Sequence, residues 1–477
     1  MSIPISRRDL GMGSKGFDFL LLSVYLSLVA IGIAMIYAVG YRGEGYSAMP
    51  LGEFLFKAQA GKQIVFAAIA LILMGFIMSV DWKFWRTFAY LVYGAGILFL
   101  LLVLIFGKTI NGAKAWFFIG GFGIQPVELA KLGTCLALSS FMSAPSIDLR
   151  EQRTQGFVAL LLGLPMFLIL LQPDMGSCLV FLSFSIMLYR EGMTPLPFWL
   201  GLGMMAVLII GLKYEPNAVV FSFMVLSSIF FVIFISEMKG LWIFGLAVVV
   251  GIATYLFFKG NLQGAMLTML CLVSLFIAVH SRRGRFRVVL MTTVALLICS
   301  AVVYGSNFAF GILQKHQQDR INVWLKPDKA DPRGVAYNSI HSKMAIGSGG
   351  WTGKGFLEGT MTQLNYVPEQ STDFIFCTVG EEHGFIGTLA VIGFYMVLLI
   401  RLVQVAERQR SYFSRCYAYG VAGIFFTHVL INMGMTMGLM PIIGIPLPFV
   451  SAGGSSLLSF TAMFAILLKL DSHRYSV

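Results

Sequence analysis

Long, nearly continuous apolar runs dominate this chain, and strict alternation of apolar and polar residues is rare. Such runs occupy 19–40, 63–80, 87–106, 126–143, 156–171 and 175–190, then 196–213, 218–236, 241–258, 262–280 and 288–306. A polar interval follows, and three more runs close the chain at 376–400, 416–437 and 448–469. A helix needs roughly 20 apolar residues to cross about 30 Å of hydrocarbon, and one that is apolar all round is a span or a fully buried helix. The pattern predicts an all-α, polytopic integral membrane protein of about fourteen transmembrane helices.

Composition agrees. Hydrophobic residues make up 58% of the 477 and charged residues 12%, too few charges to cover a soluble surface of this size. The net charge of +12 raises the question of nucleic acid, but its distribution answers it. Lys and Arg crowd alternate connections: Arg7, Arg8, Lys83, Arg86, Arg150, Arg153, Arg190, the run Arg282, Arg283, Arg285 and Arg287, then Arg408, Arg410 and Arg415. The intervening connections, near Lys57, Lys108, Lys213 and Lys259, are less basic. Positive segments stay cytoplasmic, so both termini are expected inside, and nucleic acid is not an expected partner. Arg7-Arg8 faintly echoes a twin-arginine signal, but a full-length span follows, so the pair reads as a cytoplasmic flank. All six cysteines lie in apolar runs without metal-ligand spacing and read as small buried hydrophobes.

With that topology the polar interval from Asn307 to Ile375 lies outside, where a long connection is usually functional. Asp331-Pro332-Arg333-Gly334 fits a type I turn. After it, Tyr337, Ile340 and Met344 recur at helical spacing with Asn338, His341 and Ser342 opposite, which predicts a short amphipathic helix on the membrane surface. The glycines from Gly347 to Gly355 miss the phosphate-loop spacing, because Ser348 and Gly355 stand at its fixed positions, and read as a flexible surface turn.

Charges inside the spans carry more information. Glu128 and Lys131 stand three residues apart on one helical face, and each alone near a span centre costs about 2.5–3.5 kcal/mol. They must pair or line a polar cavity, and such residues are functional candidates. Asp174 falls at a tight turn between two runs, while Asp373 or Thr372 reads as the N-cap of the next helix, with Glu369 nearby. Glu381 and Glu382 lie inside that helix and again demand polar partners. His341 and His383 read as interfacial residues, and no motif for a structural metal is present.

Several stretches together resemble one family. They are "NGAKAWFFIGGFGIQPVELAK", "LQPDMGS", "DRINVWLKPDKADPRGVAY", "KMAIGSGG", "VPEQSTDFIF", "GEEHGFIG" and "MGLMPIIGIPLPFVSAGGSS", spread over nearly the whole chain. In this order they resemble the SEDS (shape, elongation, division and sporulation) family, and "GKGFLEGT" and "STDFIF" are closer to its elongation branch than to its division branch. Val127, Ala115, Asn338 and His341 stand where the family usually has Ser, Arg, Gln and Gln.

The resemblance implies a peptidoglycan glycosyltransferase that polymerises lipid II, the undecaprenyl-pyrophosphate-linked disaccharide peptide, at the outer face of the bacterial cytoplasmic membrane. It implies a class B penicillin-binding protein as partner and Asp331 as the catalytic residue. Glu128, Lys131, Asp174, Arg320, Arg333, Lys343 and Asp373 become the expected substrate contacts. No cofactor is implied with certainty, although a divalent cation, Mg or Mn, would suit the pyrophosphate. Alternative readings of the same chain are a flippase for lipid II and a scaffold that only activates the penicillin-binding protein. The expected organisation is a core from 1–190 and 376–477, about four extra helices within 191–306, and an extracytoplasmic catalytic loop at 307–375.

Overall fold

A computed structural model describes residues 18–41, 49–110, 112–119, 122–145, 147–230, 239–281, 286–313, 315–326 and 334–475. Asp331 and Arg333 therefore lie outside the described residues. The chain divides into two compact units, one formed by Met1–Thr194 with Asp331–Val477 and the other by Pro195–Ala330.

The first unit opens with α1 (Phe19–Gly40), a short α2 (Leu51–Lys57), α3 (Gln59–Ser79), α4 (Trp82–Thr87) and α5 (Ala89–Phe106). A three-stranded antiparallel ribbon follows, β1 (Lys108–Ile110), β2 (Ala113–Ile119) and β3 (Phe122–Ile124). The run-based reading missed it, although Asn111-Gly112 and Gly120-Gly121 are two-residue hairpin signals in the sequence. Next come α6 (Pro126–Met142), α7 (Gln152–Leu171), α8 (Met175–Phe181) and α9 (Phe184–Arg190). The last two replace the single span expected at 175–190, with a break at Leu182–Ser183.

The second unit holds α10 (Pro195–Lys213), α11 (Pro216–Phe230), α12 (Lys239–Phe258), α13 (Leu262–Ser281), α14 (Phe286–Ile312) and α15 (Lys315–Leu325). Small apolar clusters join these helices, Ala253, Met269 and Leu272 in one and Val219, Val220 and Val303 in another. Tyr304 donates 2.8 Å to Asn217, and Asn307 donates 2.8 Å to the Gly211 carbonyl. The chain then returns to the first unit with α16 (Val335–Ser348), α17 (Thr360–Gln363), α18 (Ile375–Arg408), α19 (Tyr412–Thr436) and α20 (Gly454–Ser472).

Among the described residues eight helices are long and apolar enough to cross a membrane: α1, α3, α5, α7, α14, α18, α19 and α20. α19 and α20 are mostly buried within the protein, whereas almost none of the apolar part of α14 is buried. In water such exposure would be prohibitive; in hydrocarbon it is the expected outer face. The final run starts later than its hydropathy predicts, at Gly454, because Pro448 lacks the amide a helix interior needs and Phe449 takes φ 68°.

One end of the first unit is tied by charge. Asp18 caps α1 through the Leu21 amide at 3.2 Å and accepts from Arg401 at 3.0 Å and Arg408 at 2.9 Å. Arg408 also pairs with Asp471, which takes Gln409 at 2.9 Å. Burial pushes the Asp18 carboxyl up, but the Leu21 amide and the two guanidiniums outweigh it and hold the group below its ordinary value.

About half of the expected catalytic loop is helix. α14 runs on to Ile312, and α15, α16 and α17 occupy much of the rest. α16 turns Ile340 and Met344 outward while Ala336, Ser339, Ser342 and Ala345 are buried, so its small-residue side faces protein and Asn338 and His341 are half-buried. The glycine segment after it is not a flexible surface turn. It packs backbone to backbone on α18, with Lys354 and Gly355 amides donating 3.0 Å to the Glu381 and Glu382 carbonyls and the Phe385 amide donating 2.9 Å to Gly350. α18 breaks at Gly384 to accept it, and Gly384 takes φ 63° and ψ −157°. At Gly353, φ is +83° and a Cβ would stand 2.1 Å from the Glu382 carbonyl oxygen. Close approach, which hydropathy does not encode, is what fixes this segment. The cap expected from Asp373 or Thr372 is also absent: Phe374 is the N-cap of α18 and makes no side-chain cap bond.

Gly353→Ala should therefore lower stability by at least about 2 kcal/mol, from a left-handed φ and a backbone clash. Gly347→Ala, where nothing lies within 4 Å, should leave stability unchanged or slightly raised. Thermal midpoints of the two purified variants in one detergent check this. Equal midpoints would show that the glycine segment does not lock onto α18.

Candidate active site

The ribbon delivers its last strand straight into α6. Gln125 is the N-cap and Pro126 the first helical residue, where a missing amide costs nothing. Gln125 is held from both sides. Its amide donates 3.1 Å to Ser455 Oγ, and its side chain donates 3.3 Å to Asp174 Oδ2. Asp174 itself caps α8, accepting from the Ser177 amide at 3.0 Å and the Ser177 hydroxyl at 2.7 Å.

One turn into α6 the chain buries two charges. Lys131 is 1% exposed and Glu128 4%, so neither is hydrated. Lys131 Nζ donates 2.8 Å to Glu128 Oε1 and 3.0 Å to His428 Nε2, and lies 5.2 Å from the centre of the Phe460 ring. An ammonium can only donate, so His428 Nε2 must accept. Nδ1 then carries the proton and donates 3.0 Å to the Pro446 carbonyl. His428 is thereby a neutral imidazole with a fixed tautomer. Glu128 Oε2 is buried with no hydrogen-bond partner among the described residues, leaving one acceptor unspent.

α19 extends this centre along its axis. His428, Asn432 and Thr436 are spaced by four and share one face, so the ladder climbs about 6 Å per step. Asn432 donates 2.9 Å to the Asp373 carbonyl and 2.8 Å to the Ile445 carbonyl. The Thr436 carbonyl accepts 3.0 Å from Ser342 of α16. Lys343, the next residue, lies across Gly438, its Nζ 3.4 Å from where a Cβ would stand. Asp373 Oδ2 is 3.1 Å from the same point on Gly444.

Five of the expected residues, Glu128, Lys131, Asp174, Asp373 and Lys343, thus gather around the second half of α19 and the 438–446 segment. Arg320 belongs to α15 in the other unit. Asp331 and Arg333 lie outside the described residues, two to four residues before α16. His428 and Asn432 were not expected. The signal was present: an ionisable ring and an amide, one turn apart, within an apolar run.

A second buried polar group sits in α18. Glu381 accepts from Lys354 Nζ at 2.8 Å, the Met361 and Thr362 amides at 2.8 and 2.9 Å, and the Thr362 hydroxyl at 2.8 Å. Its demand for partners is met. Glu382, 1% exposed, closes no hydrogen bond among the described residues, although the Leu357 amide points toward it.

Such an architecture, apolar helices around a sealed charged centre, is that of a multi-pass membrane protein. The family model described as "Cell cycle protein", covering FtsW, RodA and SpoVE, matches residues 18–214 and 261–476. The chain belongs to this family, the SEDS proteins. It is 32% identical over 471 residues to peptidoglycan glycosyltransferase RodA of Treponema pallidum, covering 97% of this chain and 99% of that one. It is 28% identical over 413 residues to peptidoglycan glycosyltransferase MrdB of Escherichia coli K12, covering 86% and 84%. A solved chain from "Structural coordination of polymerization and crosslinking by a peptidoglycan synthase complex" matches with TM-score 0.60 and 26% identity, over 97% of this chain and 99% of that one. Thermus thermophilus RodA shares the fold at TM-score 0.55 and 22% identity, covering 96% and 98%.

Breaking a buried pair by removing one partner costs roughly 3–5 kcal/mol, because the survivor is left uncompensated. Lys131→Met alone should destabilise the protein on that scale, and adding Glu128→Gln should restore most of the loss. Thermal midpoints of the single and double variants check this. A Lys131→Met protein as stable as the wild type would mean that the centre is hydrated or already neutral.

Proposed function

We propose that this chain is a peptidoglycan glycosyltransferase that polymerises lipid II at the outer face of the bacterial cytoplasmic membrane during cell elongation, with both termini cytoplasmic. The observation that carries the reading is near full-length similarity to proteins named for that activity, over a chain that keeps a sealed charged centre leading to α16.

The chemistry fits a single carboxylate. An α-linked pyrophosphate donor that yields a β-linked glycan inverts, so one displacement suffices. Asp331 takes the proton of the incoming sugar hydroxyl as its oxygen attacks the anomeric carbon and the bond to pyrophosphate breaks. Pyrophosphate leaves without a proton from the enzyme, so the acid partner of a glycosidase pair is not needed. Its growing negative charge needs cations. Lys343 supplies one in the first unit, with Arg333 and Arg320 as further candidates, while Lys131, sealed with Glu128 and His428, shapes the site from within. Asp174 and Asp373 act on backbone and neighbouring side chains, and through them shape the pocket.

Among the described residues no group of three or more His, Cys, Asp or Glu gathers at one point. A divalent cation would therefore take pyrophosphate oxygens among its ligands, and no step above is routed through it. A class B penicillin-binding protein, which cross-links the new strand, is the proposed partner. Support comes from the likeness to a chain of a peptidoglycan synthase complex.

Asp331→Asn keeps the turn-forming residue type and removes basicity. Purified protein given labelled lipid II, alone and with its cognate penicillin-binding protein, should lose glycan formation by orders of magnitude in the Asn variant. Its yield and thermal midpoint should match the wild type. Polymerisation at near wild-type rates by the Asn variant would remove Asp331 from the mechanism.

A further inference from the structure

At the opposite end of α6 from the charged centre lies an open surface hollow with a largely apolar lining and two cations at its rim. It measures about 500 Å³ and is lined by Trp82, Lys83, Arg86 and Thr87 of α4 and its end, Tyr90 of α5 and Ser140 of α6. α6 rises about 1.5 Å per residue, so Ser140 lies roughly 18 Å along the helix from Glu128. This is the end tied by Asp18, Arg408 and Asp471. Lys469, in the last turn of α20, donates 2.7 Å to the carbonyl of Met78, just before α4.

The lining itself holds two cations and no carboxylate; Asp81, next to it, is spent capping α4 through the Lys83 amide at 2.8 Å. Lys83 sits with its ammonium 5.7 Å from the Trp82 ring centre, a geometry that leaves its donors free. Arg86 makes no hydrogen bond or ion pair among the described residues. The Thr87 hydroxyl is spent on the Lys83 carbonyl at 3.1 Å, while the Tyr90 hydroxyl meets Ser140 at the cavity wall.

What makes the cavity more than a set of orienting charges is what adjoins it. From Tyr90 an exposed stripe runs up α5 through Leu91, Leu98, Leu101 and Ile105, on one helical face. Gly94, on the same stripe, has nothing within 4 Å of an added Cβ and leaves a shallow track. A basic pocket with aromatic walls at the interface, continued by an apolar track into the hydrocarbon, matches an amphiphile. One end takes a phosphate and the other takes chains. Any spanning helix carries such a lipid-facing side; what singles out this stretch is that it begins at a hollow holding two cations and the Trp82 and Tyr90 rings.

We propose that this cavity is a binding site for the phosphate-bearing headgroup of an anionic membrane lipid, with an acyl chain along α5, separate from the charged centre around Lys131. Lys83 and Arg86 bind the phosphate, with the guanidinium able to do so through two bonds. Tyr90 marks the boundary between headgroup and chain.

The test uses the full chain in lipid nanodiscs, with phosphatidylglycerol or phosphatidylcholine as the probe and retained lipid read by native mass spectrometry. Wild type should retain phosphatidylglycerol selectively. Lys83→Ala with Arg86→Ala should bind it about twenty-five-fold more weakly, at about a factor of five per cation, with phosphatidylcholine unaffected. Lys83→Arg with Arg86→Lys, which keeps both charges, should retain selectivity. Inorganic phosphate at millimolar concentration should displace little lipid, since it lacks the chains. As a variant-independent measurement, phosphatidylglycerol with a photoreactive headgroup should label α4 peptides in the wild type. Equal retention of the two lipids by wild type, undiminished retention by the alanine variant, displacement by phosphate, or no label on α4 would each overturn the proposal.

Discussion

An ammonium buried in a membrane helix cannot be left alone, and the first unit is arranged around that constraint. Lys131 needs Glu128 for charge and His428 for a further acceptor, so α6 and α19 must approach closely at that level. Fixing His428 requires the Pro446 carbonyl, which recruits the proline-interrupted segment before α20. Asn432, one turn on, holds two carbonyls of the same region, and Thr436 then receives α16. Each contact satisfies a group that hydrocarbon would otherwise leave without a partner. The result is a polar spine from the interior to α16, the helix that follows the proposed catalytic carboxylate in sequence.

Such a spine suits the proposed chemistry, because displacement at a pyrophosphate-bearing sugar asks the protein mainly for position and charge. Preorganised cations stabilise a leaving phosphate without reorganising during the step. The Lys131–Glu128 pair is sealed from solvent and holds the spine without a net charge, leaving exposed Lys343 as the cation placed for that purpose. The glycine segment on α18 supports it from another side, placing Lys354 on Glu381 and closing the kink at Gly384.

Much of this could be read from the chain, and the rest could not for identifiable reasons. Apolar runs located most helices because a span must be apolar along its whole length, a demand that sequence displays directly. Glu128 and Lys131 stood out because charges are costly there. The ribbon after α5 was missed because its strands are short and lack alternation, although Asn111-Gly112 marks a hairpin. His428 went unnoticed as one ring in an apolar run, and its meaning depends on Lys131, 297 positions away. The glycine segment was read as mobile because glycine signals both freedom and close approach, and only the neighbouring backbone decides between them. The family model passes over 215–260, the stretch that holds α11 and α12, so these helices owe least to the shared pattern.

The account is tested most directly by asking where the substrate sits. A photoreactive amino acid can be placed at Ile443, beside the Asp373, Asn432 and Asp174 cluster, and separately at Arg410, at the far end of α19. Both proteins are then illuminated with labelled lipid II. The account predicts strong labelling from Ile443 and none above background from Arg410. Labelling from Arg410 with none from Ile443 would place the substrate away from the polar spine and contradict the site described for it.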